Sequence, residues 1–141
     1  MNITKKKLKQ ICILIACLTL CWYIFLRPDP ENKRKFKRTL GVELTPDVED
    51  IHYYYDFFPT DYAIYLAFTC DSATIWRIVH INRLKLTGNH SGGLSGGFDW
   101  WDEEKISTIT PYKKSDEKHN VYKYLWYDKE NRKAYFQEFS I

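Results

Sequence analysis

A chain of 141 residues with a formal net charge of +3 is long enough for one small domain and too short for two. The charge is unevenly spread: residues 1–38 carry ten basic and two acidic side chains, +8, whereas residues 39–141 carry eleven and sixteen, −5. An acidic domain lacks the surplus cations that phosphates demand, which argues against a nucleic-acid partner. Only Cys70 lies outside the apolar run that holds Cys12, Cys17 and Cys21, which excludes an internal disulfide or a Cys-x-x-Cys metal pair in the domain.

After a basic flank, residues 1–10, comes "ICILIACLTLCWYIFL", residues 11–26, sixteen positions without a charge. At a rise of about 1.5 Å per residue the run covers roughly 24 Å, and more if Leu8 is added and Lys9 snorkels, against a hydrocarbon layer of about 30 Å. In lipid its backbone must bond internally, so the run predicts one transmembrane helix, with Trp22 and Tyr23 at the headgroup level and Arg27-Pro28 beyond its end. The end "WYIFLRPDP" has no small residue where a signal peptidase cuts, so a retained signal-anchor is the reading. Lipidation at Cys17 or Cys21 is the alternative, because "LIAC" is like a lipobox, although the polar stretch expected after one is replaced here by "LTLCWYIFL". Basic residues lie on both sides, four lysines before and six cations after. The short flank and signal-anchor layout place the N-terminus in the cytoplasm and the domain outside a cell (inner) membrane crossed once. The cluster "KRKFKR", residues 33–38, would lie on anionic headgroups at about 1 kcal/mol per charge.

Residues 27–39, with two prolines and many charges, read as a basic linker, and order is expected over 40–141. "DIHYYYDFF" and "YAIYLAFTC" alternate with a period of two around the turn "PTD" and predict a hairpin. Asp71 or Ser72 can cap a helix over about 72–85 whose stripe is Ile75, Ile78, Val79 and Leu86. Five of the six glycines fall in "GNHSGGLSGG", residues 88–97, a flexible loop on this reading. "FDWWDEEKI" predicts a short helix capped by Asp99, with Asp102, Glu103 and Glu104 in its first turn. "NVYKYLWYD" and "KAYFQEF" are two more strands around "DKENR". The fold expected is α+β: a four-stranded antiparallel sheet in the order β-β-α-[short α]-β-β, with helical cover on one face, behind the N-terminal transmembrane helix.

No spaced catalytic set is present. The glycine loop has no lysine and follows a helix, unlike a phosphate cradle. His52, His80, His90 and His119 show no metal-ligand spacing, so no metal and no cofactor is expected. Cys70 ends the apolar face of a strand and reads as inert filling. Asp99, Asp102, Glu103 and Glu104 beside Trp100 and Trp101 have the residue types of a sugar site. Carboxylates so close at a helix start serve capping more often than catalysis. The candidate binding patch is therefore aromatic and acidic: Trp100, Trp101, Asp99, Asp102 and Tyr54.

The stretches "LGVELTPDVEDIHYYYD", "WRIVHINRL" and "YLWYDKENRKAYF" resemble uncharacterised small bacterial membrane-anchored or lipoprotein-like proteins over about residues 40–139. The resemblance implies an anchored α+β domain and no activity or functional residue. The expected function is a membrane-tethered, non-enzymatic binding domain of the cell envelope whose partner is another protein. Membrane lipid is a further partner, through residues 11–26 and 33–38. The alternatives are an immunity-type inhibitor of a basic toxin, by charge complementarity, and an enzyme or binder acting on envelope carbohydrate.

Overall fold

The computed structural model describes residues 14, 15, 17, 30–88, 93 and 95–141. The chain divides into two compact units, Met1–Pro30 and Glu31–Ile141. In the first, Leu14, Ile15 and Cys17 are helical and exposed; the rest of the run 11–26, with Cys21, lies outside the described residues. Among the described residues no helix is long and apolar enough to cross a membrane, so the transmembrane, single-pass expectation is not upheld. Sixteen uncharged residues give about 24 Å, short of the roughly 30 Å a span requires.

The second unit begins where a linker was expected. Pro30–Leu40 is a helix, α1, with a proline at its start, Glu31 in the first turn and Lys37 and Arg38 in the last. Lys35 pairs with Glu31 at 2.9 Å, one turn away. Phe36 and Leu40, four apart, share one face. Both are 0 % exposed, and the Phe36 ring meets Phe68 edge-on with centroids 4.9 Å apart. A basic helix thus contributes two of the innermost core side chains, which its charge density conceals.

The strands are β1 (Glu49–Phe57), β2 (Tyr62–Thr69), β3 (Lys85–Leu86), β4 (Tyr112–Asp116), β5 (Val121–Asp128) and β6 (Lys133–Ser140). They form one antiparallel sheet in the order β1-β2-β6-β5-β4-β3. The expected four-stranded sheet is therefore six-stranded among the described residues. The two strands not foreseen are β3, with two residues, and β4, "YKKSD". Neither carries the apolar alternation by which a strand is recognised; β4 is held by its ladder to β5, and β3 by its ladder to β4.

A second helix, α2 (Ser72–Asn82), follows β2 and stops earlier than the expected 85. Arg83 adopts a left-handed conformation there and Leu84 N–H bonds back to the Val79 carbonyl. Asp71 stands at the cap, but its side chain makes no capping bond. The Asp47 carboxylate reaches across instead, accepting from the Asp71 N–H at 3.0 Å and the Thr74 hydroxyl at 2.8 Å. Asp71 pairs with Arg132 at 2.8 Å.

Helical cover was expected on one face; both faces are covered. On one, α1 and α2 enclose Leu66, Phe68, Leu125, Ala134 and Phe136 with Ile75 and Ile78. On the other, Tyr65, Tyr124, Trp126, Tyr135 and Phe139 pack beneath the 93–111 segment, which contains the third helix, α3 (Glu103–Thr108). Burial on both sides explains why β2 holds an unbroken apolar run and why β5 and β6 carry large apolar side chains on consecutive positions.

Two predictions follow from this packing. Phe36→Ala is expected to destabilise the domain by about 3–5 kcal/mol in denaturant titration, as a core truncation does, and not by the few tenths of a linker residue. Burial works to raise the Asp47 carboxyl, but bonds from Thr45, the Asp71 N–H and Thr74 outweigh it and hold it at about 2. A depressed carboxyl contributes stability above its unfolded value, near 4, that is lost as pH falls toward 2. The stability difference between wild type and Asp47→Ala is therefore expected to shrink over that window in a pH series of melts.

Candidate functional site

Two side chains of the expected patch, Tyr54 and Trp100, are brought together with two that were not foreseen, Phe98 and His52. Tyr54 projects from β1 and packs on Phe98, centroids 4.6 Å apart. Phe98 stacks on Trp100 at 4.8 Å, nearly parallel, and Trp100 stacks on His52 of β1 at 5.5 Å. Tyr54 remains 41 % exposed and Trp100 is half-buried. Trp101 turns the other way. It is 4 % exposed and meets Tyr65, Trp126 and Tyr135 edge-on, so it is core. Asp99 is exposed.

The carboxylates are committed locally. Asp102, not Asp99, caps α3, accepting the Lys105 N–H at 2.9 Å. Lys105 in turn reaches the buried Asp128 at the end of β5 at 3.3 Å, which ties α3 to the sheet. Glu103 accepts from the Ser95 hydroxyl and from the N–H groups of Gly96 at 2.9 Å and Gly97 at 3.3 Å. The Ser95 bond, with those two N–H groups, holds its carboxyl below the ordinary value. Residues 89–92 and 94 of the glycine loop, including His90, lie outside the described residues.

The described part of that loop is packed. A Cβ at Gly93, which has φ +87°, would lie 2.7 Å from both Trp126 and the Gln137 side chain; one at Gly96 would lie 2.7 Å from Trp101. Only glycine lets the backbone approach these rings so closely. The flexible-loop expectation rested on glycine's freedom, whereas here the missing side chain serves contact.

Cys70 is fully buried, and burial pushes its thiol up to about 12, so it stays protonated. Among the described residues no three His, Cys, Asp or Glu side chains converge on a metal site.

The most exposed aromatic surface lies at the edge strand itself. Tyr55, Phe57 and Phe58 stand out from β1 and its turn, the last two 67 % and 54 % exposed. The Phe58 N–H bonds the Asp61 carbonyl at 2.9 Å, which fixes the alternation of the hairpin. Asp56, Tyr54 and His52 exchange bonds with β2, and the N–H and C=O groups of Tyr53, Tyr55 and Phe57 face away from it. The Tyr62 N–H agrees with this register, since it donates to Ser140 on the β6 side. At the start of β1, Asn32 of α1 donates to the Ile51 carbonyl at 3.1 Å and covers that end. From Tyr53 to Phe57 the edge is open among the described residues. The charges of the strand and its turn are acidic apart from His52: Glu49, Asp50, Asp56 and the following Asp61. On the face of α1, Lys35 lies over the Tyr53 ring at 5.0 Å and Arg38 lies beside Tyr53 and Tyr55.

Comparison with known families, characterised proteins and solved structures finds no match.

Gly96→Ala is expected to cost about 1–3 kcal/mol through overpacking against Trp101. Glu103→Ala is expected to destabilise less and to raise the protease sensitivity of the 93–97 segment, read by limited digestion.

Proposed function

We propose that this chain is a non-enzymatic binding module whose β1 edge accepts an extended segment of a partner protein as a further strand. The observation that carries this reading is the row of outward N–H and C=O groups at Tyr53, Tyr55 and Phe57, flanked by exposed rings. Strand addition draws affinity from such main-chain groups and specificity from side-chain contacts on the two faces. Tyr55 and Phe57 serve one face and Tyr54, backed by Phe98 and Trp100, the other.

Glu49, Asp50 and Asp56 select the partner's chemistry. A strand alternating apolar side chains with Lys or Arg is complementary, whereas a second copy of this edge would set like charges together. The acidic edge also favours the narrower version in which the module neutralises a basic toxin as an immunity-type inhibitor. A carbohydrate site is less well supported. Trp100 is already stacked on Phe98 and on His52, and sugar stacking requires a free ring face.

Tyr55→Pro removes one outward N–H without breaking a bond to β2, a change that an edge strand tolerates. A partner recovered by affinity capture with the wild-type chain is expected to bind this variant about tenfold more weakly or worse, at a melting midpoint within a few degrees. A photo-crosslinker at position 55 is expected to mark an extended basic-apolar segment. Unchanged binding by Tyr55→Pro contradicts strand addition.

A further inference from the structure

The face that carries α1 and α2 is not covered along its whole length. At the end of the sheet near the β1–β2 turn lies an open recess of about 390 Å³, within the size range of small-molecule sites. Its floor is formed by Tyr53, Tyr55 and Ile64, and the last turn of α1 supplies one wall through Arg38 and Thr39. The far end holds a preset polar group. Lys123 of β5 and Glu138 of β6 pair at 2.7 Å, and the Tyr62 hydroxyl donates to the other oxygen of Glu138 at 2.7 Å.

Each element of this recess has a chemical consequence. Tyrosine rings offer flat apolar contact with polar rims. The Glu138 charge is matched by Lys123 and bonded by Tyr62, whose hydroxyl is pushed up by burial and by that carboxylate, so it remains a neutral donor. Arg38 is exposed and makes no ion pair among the described residues, unlike Lys35 and Lys37 on the same helix, which pair with Glu31 and Glu43. The recess therefore holds one cation beyond its internal pair. A guanidinium presents a planar fork matched to carboxylate and phosphate oxygens.

We infer that this recess binds a small organic anion, its flat body on the tyrosine floor and its phosphate or carboxylate on Arg38. The site lies on a face of the sheet, distinct from the outward main-chain groups of β1, and goes beyond the strand-binding role.

The test uses the full-length chain in a neutral detergent, with the Ile64 methyl signals followed by NMR. Phenyl phosphate, inorganic phosphate and phenol are the probes. Phenyl phosphate is expected to shift the Ile64 methyls saturably, with phosphate alone and phenol alone each at least tenfold weaker. Arg38→Gln is expected to weaken phenyl phosphate about tenfold while the melting midpoint stays put, and Arg34→Gln, one turn away on α1 and outside this recess, to leave it unchanged. Equal binding by Arg38→Gln, equal binding of phenol, or shifts that map away from Ile64 would each overturn the inference. So would equal losses in Arg34→Gln and Arg38→Gln, which would mark a general charge effect.

Discussion

Burial of β2, β6 and β5 on both faces is the constraint from which the remaining features follow. Leu66, Phe68, Leu125 and Phe136 point one way, and Tyr65, Trp126, Tyr135 and Phe139 the other. Each central strand buries large side chains on alternate positions, so neither face can be left to water. A domain of this length has few elements with which to cover two faces. It uses a charged helix, a second helix reached through a distant carboxylate, and a glycine-containing segment ending in a six-residue helix.

That economy decides what remains open. With α1 and α2 occupied over one part of their face, the sheet end carrying Tyr55, Tyr62 and Glu138 stays uncovered. With the 93–111 segment spent on the opposite face, no strand among the described residues pairs with the outer edge of β1, and only Asn32 bonds it, at its start. Exposed edges are commonly blunted by charge or by bulges. Here Asp50, with φ 50°, and the register shift between Glu49 and His52 provide this at the start of the strand. The stretch from Tyr53 to Phe57 continues in regular pairing with β2 and keeps its exposed rings.

Much of the central sheet was legible because its signal is periodic. "YAIYLAFT", "VYKYLWYD" and "KAYFQEFS" are rich in aromatic and aliphatic residues, and they are β2, β5 and β6. What sequence concealed was tertiary. The apolar content of α1 is two side chains in eleven residues, too little for a pattern, yet both reach the core because their spacing matches a helical turn. The ladder alone makes "YKKSD" a strand. The patch was legible in residue type but not in direction: adjacent tryptophans at 100 and 101 point to different environments, and a turn closed by the Trp101 N–H on the Phe98 carbonyl separates them. Glu103 looked like a dipole-favoured surface carboxylate, and its clasp on Ser95, Gly96 and Gly97 required knowing how the loop returns.

Amide hydrogen exchange along β1 tests the open edge most directly. In the free protein the amides of Tyr54 and Asp56, bonded to β2, are expected to exchange slowly, and those of Tyr53, Tyr55 and Phe57 at least an order of magnitude faster, a sawtooth of period two. Equal protection at all five positions would mean that the edge is already covered, and it would contradict the strand-accepting role.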